Sequence, residues 1–411
     1  MGVRNSTPIK FCAASNHKVN RQRLQNNVLA AKTGEGKEMK ELEVYIHVPF
    51  CIKKCAYCDF LSMQAGSDVQ EAYLQALLNE ITHTNVDNGY QIASVFIGGG
   101  TPSIIPGEWI GKILEKLKTR FPFSKDAEIS IECNPGTVDG KKLALYQQAG
   151  INRISFGLQS CNNQELQRLG RIHSYETFLE SYNLARAAGF ANINVDLMSG
   201  LPIQTLADWE NSLRQTMRLA PEHISAYSLI VEEGTPFAQQ KLSLPDEETE
   251  RQMYERTHEI LEQCGYRQYE ISNYAKEGFA CRHNIGYWQR VPYLGMGLGA
   301  ASLIQDTRYS NTQDLAVYLE KSKEPDSMRC NYEVLDKKVR MEEFLFLGLR
   351  MLEGVRLEDF EHEFSVELLD LYGEEIKRMV NQGLLTLEDW SLKLTRQGIS
   401  LSNYVFSEFL L

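Results

Sequence analysis

Three cysteines, Cys51, Cys55 and Cys58, stand with three and then two residues between them, inside Tyr45-Ile-His-Val-Pro-Phe-Cys-Ile-Lys-Lys-Cys-Ala-Tyr-Cys-Asp-Phe60. A loop with this spacing can turn three thiolates toward one centre. Thiolate is a soft ligand that selects zinc, copper(I) or an iron–sulfur cluster. A structural zinc site takes four ligands; no fourth Cys lies nearby, and the local alternative is His47. Three ligands instead suit a 4Fe-4S cluster whose remaining iron is open to a small molecule. The plainer alternatives are a zinc knuckle, or three free thiols in a reduced protein.

Other stretches carry weaker signals. Gly98-Gly99-Gly100-Thr101-Pro102 follows a predicted strand directly. Glycines there let the backbone approach a ligand, although by itself the stretch reads as a turn. Glu132, Gln159, Arg171 and Asp196 fall at or after later predicted strands. Singly, each has an ordinary reading as a surface or capping residue. In Cys281-Arg-His283-Asn284-Ile-Gly-Tyr287-Trp288, a His can ligate heme iron, and Tyr and Trp offer flat faces to a porphyrin. The bland reading is a turn with buried aromatics and a hydrogen-bonded His.

The cysteine loop resembles that of the radical S-adenosylmethionine (SAM) enzymes. Tyr45-x-His47-x-Pro49-Phe50-Cys51 and Cys58-Asp59-Phe60 are similar to the oxygen-independent coproporphyrinogen oxidase branch, and within it to the HemW-type heme chaperones. The resemblance runs from about residue 42 to the end. It implies a partial (β/α)6 radical-SAM barrel followed by a smaller winged-helix-like α+β domain. It implies cluster ligation by Cys51, Cys55 and Cys58, with SAM on the open iron. It also implies SAM contacts from Tyr45, Tyr57, Gly99, Gly100, Thr101, Glu132, Gln159, Arg171 and Asp196. His283, Asn284, Tyr287 and Trp288 resemble a motif implicated in heme handling. The implied function is a heme chaperone that delivers heme to apo-proteins such as respiratory heme enzymes, served by an electron donor. The alternative is coproporphyrinogen III dehydrogenase acting through a 5′-deoxyadenosyl radical. That enzyme's pattern has a further Cys two residues after the third ligand, where this chain has Phe60. The first 40 residues also do not resemble the enzyme's N-terminal arm.

Strands and helices must alternate to position these groups. Strands are predicted at 43–48, 93–97, 128–132, 153–156, 192–197 and 223–230. Helices are predicted at 67–85, 109–117, 141–149, 175–188 and 206–219, with Gly150 and Gly189 as closing residues. Six alternations in about 190 residues imply a parallel sheet with right-handed crossovers. The candidate groups fall at strand ends, the active face of α/β barrels. Later come a helix at 247–264, a mixed stretch at 270–304, a helix at 337–352 and a strand–turn–strand–helix tail at 384–411. Leu394-Thr395-x-x-Gly398 resembles the wing of the family's C-terminal domain. The expected division is 1–40, a basic extension; 41–300, the barrel; and 301–411, the C-terminal domain.

The net charge of −11 over 411 residues argues against a generic nucleic-acid binder. No apolar run is long enough to span a membrane. The first 40 residues hold eight Lys/Arg and two acids. They are expected to be a disordered tail or an early start ahead of Met39, with an organelle leader as the alternative. Nine Cys in mixed contexts do not form a secreted disulfide framework. Cys12, Cys133, Cys161, Cys264, Cys281 and Cys330 are expected to be free thiols. A three-thiolate cluster needs a reducing compartment, so a cytoplasmic protein is expected.

Overall fold

Alternation within each strand builds the fold. The computed structural model describes residues 39–86 and 89–410, so the expected basic extension lies outside the described residues up to residue 38. The strands are β1 Lys40–Val48, β2 Tyr90–Gly99, β3 Phe123–Cys133, β4 Arg153–Gln159, β5 Ile193–Ser199 and β6 His223–Ser228. The helices between them are α1 Ser67–His83, α2 Gly107–Arg120, α3 Gly140–Ala149, α4 Asn163–Arg168, α5 Tyr175–Ala187 and α6 Leu206–Arg218. These six strands are neighbours in chain order. Ser94 pairs with Glu128, Ser130 with Arg153 and Asn194 with His223, all in parallel ladders.

Successive strand residues face opposite sides. Ile129, Ile131, Ile154, Phe156, Val195, Leu197 and Ile224 therefore share the face beneath the helices, where they join the main buried core. Glu128, Ser130, Glu132, Arg153, Ser155, Asn194, Asp196, His223 and Ser225 take the other face. A parallel sheet covered on both faces would read as continuous apolar runs. Here the second face lines a hollow instead.

Caps fix the helix ends. Asp139 accepts from the Lys142 N–H at 2.7 Å at the start of α3, an interaction of about 1 kcal/mol. Gly150 and Gly189 close α3 and α5 with φ of 98° and 96°, as predicted.

The sheet stays open. Beyond α7 Glu247–Gln263, the short strands β7 Arg267–Gln268 and β8 Asn273–Ala275 extend it antiparallel at β6. The mixed stretch then resolves into α8 Arg282–Trp288 and β9 Tyr293–Met296, which lies parallel beside β1. The strands β10 Ala301–Ile304, β11 Thr307–Asn311 and β12 Arg329–Val334 follow antiparallel. The sheet thus runs past residue 300. A second core, including Leu345, Phe360, Tyr372, Met379 and Phe409, begins at Met341. It is built on a three-stranded antiparallel sheet, Val355–Arg356, Ser391–Leu394 and Leu385–Glu388. The helix Lys337–Gly348 stops short of the expected Leu352 because Met351 leaves it to bridge Glu270.

Candidate functional site

The cysteine loop is pinched at its base. The Met63 N–H donates to the Pro49 carbonyl at 2.7 Å, and the Cys51 N–H donates to the Met63 carbonyl at 2.9 Å. Its far side is pinned where the Ala56 N–H meets the Leu169 carbonyl at 2.9 Å and the Phe237 N–H meets the Ala56 carbonyl at 3.0 Å. Cys51, Cys55 and Cys58 are partly exposed free thiols that line one cavity of about 450 Å³. Among the described residues, no three His, Cys, Asp or Glu side chains converge tightly enough to hold a single metal ion. Three thiols along one cavity wall suit a 4Fe-4S cluster, which accepts one thiolate per iron. The Arg171 Nη1 donates to the Cys55 Sγ at 3.7 Å. His47 is held on both ring nitrogens, by the Leu61 carbonyl at 2.8 Å and the Tyr45 hydroxyl at 3.0 Å. It is therefore not a fourth ligand in this arrangement.

The glycine stretch packs backbone on backbone against the entry to that loop. The Gly100 N–H donates to the Val48 carbonyl at 2.9 Å, and the Thr101 N–H to the Phe50 carbonyl at 2.8 Å. A Cβ on Gly100 would meet the Phe50 backbone at 2.7 Å. Gly99 has φ 112° and donates its N–H to the Glu132 Oε2 at 3.1 Å.

Gln159, at the end of β4, holds φ 73°, a left-handed conformation rare outside glycine. Its amide oxygen accepts from the Tyr227 hydroxyl at 2.8 Å. The Arg171 Nη2 donates to the Asn134 Oδ1 at 2.7 Å and to the Gly157 carbonyl, while its buried Nε has no partner. Asp196 accepts from the Asn194 amide at 2.7 Å and the Ser155 hydroxyl at 3.2 Å. Burial, and then the neighbouring Asp196, pushes the Glu132 carboxyl up to about 8. Burial also raises Asp196. Tyr57, Gly99, Gly100, Thr101, Glu132, Gln159, Arg171 and Asp196 all line the cysteine cavity. Its groups suit a small molecule with a carboxylate for the guanidinium and hydroxyls for the acids and amide. Tyr45 is the exception, lining an adjoining inner cavity of about 590 Å³.

His283, Asn284 and Tyr287 also line that inner cavity. The His283 Nδ1 lies 2.7 Å from the Ser94 hydroxyl and its Nε2 lies 3.3 Å from the Tyr287 hydroxyl. The ring stacks on Phe96 at 5.2 Å and is 1% exposed. Burial, helped by the Arg153 charge, lowers it to about 3. Burial pushes Glu43, 3.9 Å away, up to about 9. Both groups are thus neutral at pH 7, and the contact is not an ion pair. Trp288 does not join the other three. Its ring lies under the Arg350 guanidinium at 4.4 Å, in a separate groove with Phe344, Met351 and Val355.

Arg153, Ser155, Asn194 and Ser225 line the inner cavity and were not candidates from the sequence. Their signal was the strict polar–apolar alternation of strands that sit among helices.

Phe60 is 62% exposed at the edge of both cavities. Cys133, Cys161 and Cys281 are buried free thiols, Cys330 is half-buried and Cys264 exposed; Cys12 lies outside the described residues. Among the described residues, no helix is long and apolar enough to cross a membrane.

Known proteins share this sequence pattern and fold. Residues 45–216 match the radical SAM superfamily model, and residues 335–401 match the HemN C-terminal domain model. The chain is 35% identical to the heme chaperone HemW of Lactococcus lactis subsp. lactis, over 90% of this chain and 98% of that one. It is 38% identical to the heme chaperone HemW of Bacillus subtilis, over 89% and 98%. It is 34% identical to the mitochondrial radical S-adenosyl methionine domain-containing protein 1 of Bos taurus, over 87% and 85%. The solved coproporphyrinogen III oxidase HemN of Escherichia coli shares the fold, with a TM-score of 0.79 at 24% identity over 94% of this chain and 93% of that one. The family carries a 4Fe-4S cluster and SAM, and the cysteine cavity fits that pair. By its cysteine loop, its open parallel sheet and its full-length relatives, the chain belongs to the radical SAM superfamily, in the group of the HemW proteins.

Proposed function

We propose that this chain is a heme chaperone, holding heme beside a SAM-ligated 4Fe-4S cluster and delivering heme to apo-proteins such as respiratory heme enzymes. The observation that carries the reading is the match, over nearly their whole length, to relatives named heme chaperone HemW. The fold likeness to HemN at 24% identity does not favour the dehydrogenase, and Phe60 stands where that enzyme's pattern has a Cys.

In this reading Cys51, Cys55 and Cys58 ligate three irons. The unpartnered Nε of Arg171 receives the SAM carboxylate. Gly99, Gly100 and Thr101 present backbone groups to its amino end. Glu132, Gln159 and Asp196 take the ribose hydroxyls, Tyr57 closes the cavity, and Tyr45 reaches SAM from the adjoining one. The cluster with SAM supplies one-electron chemistry when bound, fed by an electron donor. His283 is neutral, the form that ligates iron. Its 3.3 Å contact with Tyr287 is the weaker of its two and the one to be released for ligation. Asn284 and Tyr287 flank it. The thiolate site suits a reducing, cytoplasmic setting. We place the domain boundary near residue 335, after the last strand of the large sheet and before the second core.

The test uses anaerobically reconstituted protein, with cluster and SAM verified, in two reactions. One receives heme and is desalted; the other receives coproporphyrinogen III and a reductant. Retained heme without protoporphyrinogen supports the chaperone. Protoporphyrinogen formation overturns it in favour of the dehydrogenase.

A further inference from the structure

We propose that Arg153 anchors a carboxylate of the molecule held in the inner cavity; resting on the heme reading above, that carboxylate is an acidic side chain of the porphyrin.

Arg153 opens β4, and its side chain lines the inner cavity while being only 2% exposed. A guanidinium carries five N–H donors. Arg153 engages the Ser130 hydroxyl at 3.5 Å, and its Nε has no partner. The carboxylates nearest in charge, Glu128 and Asp196, are committed elsewhere. Glu128 accepts from the backbone N–H groups of Arg282 and His283 at 3.1 and 3.3 Å, at the start of α8. Asp196 accepts from Asn194 and Ser155. Neither forms an ion pair with Arg153.

Arg153 lies near enough to Glu128 and Asp196 for their charges to interact, yet its buried Nε has no acceptor, a donor that a ligand carboxylate can fill. The cavity it faces also presents the rings of Tyr45, Phe96 and Tyr287. Aromatic faces beside one buried cationic fork, with the Glu132 and Asp196 carboxyls, Ser155, Asn194 and Ser225 on the remaining wall, suit a flat molecule that carries a carboxylate and further polar groups. Six residues of strand separate Arg153 from Gln159, about 20 Å. The anchor therefore lies deep, far from the cluster end, on the level of His283. A ligand held by His283 can place an acid on Arg153 and leave the SAM contacts free.

The test compares heme with heme dimethyl ester on the reconstituted protein, by spectral titration and retention through desalting. Wild type is expected to bind the ester about tenfold to a hundredfold more weakly, the range for a charged hydrogen bond in a buried site. Arg153→Gln should bind heme as weakly as wild type binds the ester and should no longer distinguish the two. Arg153→Lys should keep part of the preference. Circular dichroism and cluster absorbance report whether the variants fold. If Arg153→Gln fails to fold, the wild-type and Arg153→Lys comparisons decide. Equal affinity of wild type for heme and ester overturns the anchor while leaving the chaperone reading intact. A preference for heme that survives in folded Arg153→Gln also overturns it. No heme retention at all defeats the chaperone reading, and the anchor with it.

Discussion

At Glu43 a carboxyl is buried beside a neutral His283 with only the Ser94 hydroxyl, at 3.3 Å, as a hydrogen-bond partner. Its pKa rises from 4.5 unfolded to about 9 folded. The unfolded chain therefore releases this proton first as pH rises. The stability contribution is full below pH 4.5 and is lost progressively toward pH 9. Glu43→Gln keeps the shape and removes the ionisation. It should flatten that slope and stabilise the protein at pH 7 by up to about 3 kcal/mol. Urea unfolding at pH 5, 7 and 9 measures it; an unchanged slope would show that Glu43 ionises normally. Cys51→Ala should lose the cluster, read as iron and sulfide content. Content equal to wild type would remove the cluster assignment. His283→Ala should weaken heme retention at least about tenfold, the range seen when even the partner of a metal-bound His is removed, with iron and sulfide unchanged. Retention equal to wild type would take His283 out of the site.

At the scale of elements, the loop-bearing half of the sheet depends on the fit between the end of β1 and the glycine turn after β2. Gly100→Ala forces a methyl against the Phe50 backbone, an overpacking of about 1–3 kcal/mol or more because backbone cannot step aside. The turn and the Cys51 loop should separate. Lower iron content with an unchanged circular dichroism spectrum is expected, and full iron content would refute the fit. Much at this scale was legible beforehand. β-branched runs marked β1 to β6, and the glycines at 150 and 189 marked helix ends. The cysteine spacing also survives as one cavity wall.

Three kinds of feature stayed hidden. The helix α8 is seven residues long and contains Gly286, which reads as a turn. A Cβ at that glycine would run into the Glu43 carboxyl, a contact made across more than 240 residues of sequence. Arg153 was hidden for another reason. Apolar content located β4, but the alternating polar residues recorded the hollow in front of it. The extra strands after residue 300 were missed because they are short and gain their stability by pairing onto an existing edge.

At the scale of the whole molecule, the open sheet carries two chambers on one concave face, one at the cysteine loop and one reaching down to α8. They are not independent rooms. Gly99, Glu132, Asp196 and Asn284 belong to the walls of both. A shared wall binds the two occupants by thermodynamic reciprocity. Whatever factor SAM imposes on the affinity for heme, heme must impose on the affinity for SAM. Titrating each in the presence of the other should give one and the same factor, different from unity. The protein would then act as an exchange device, in which the filling of one chamber sets the moment at which the other lets go.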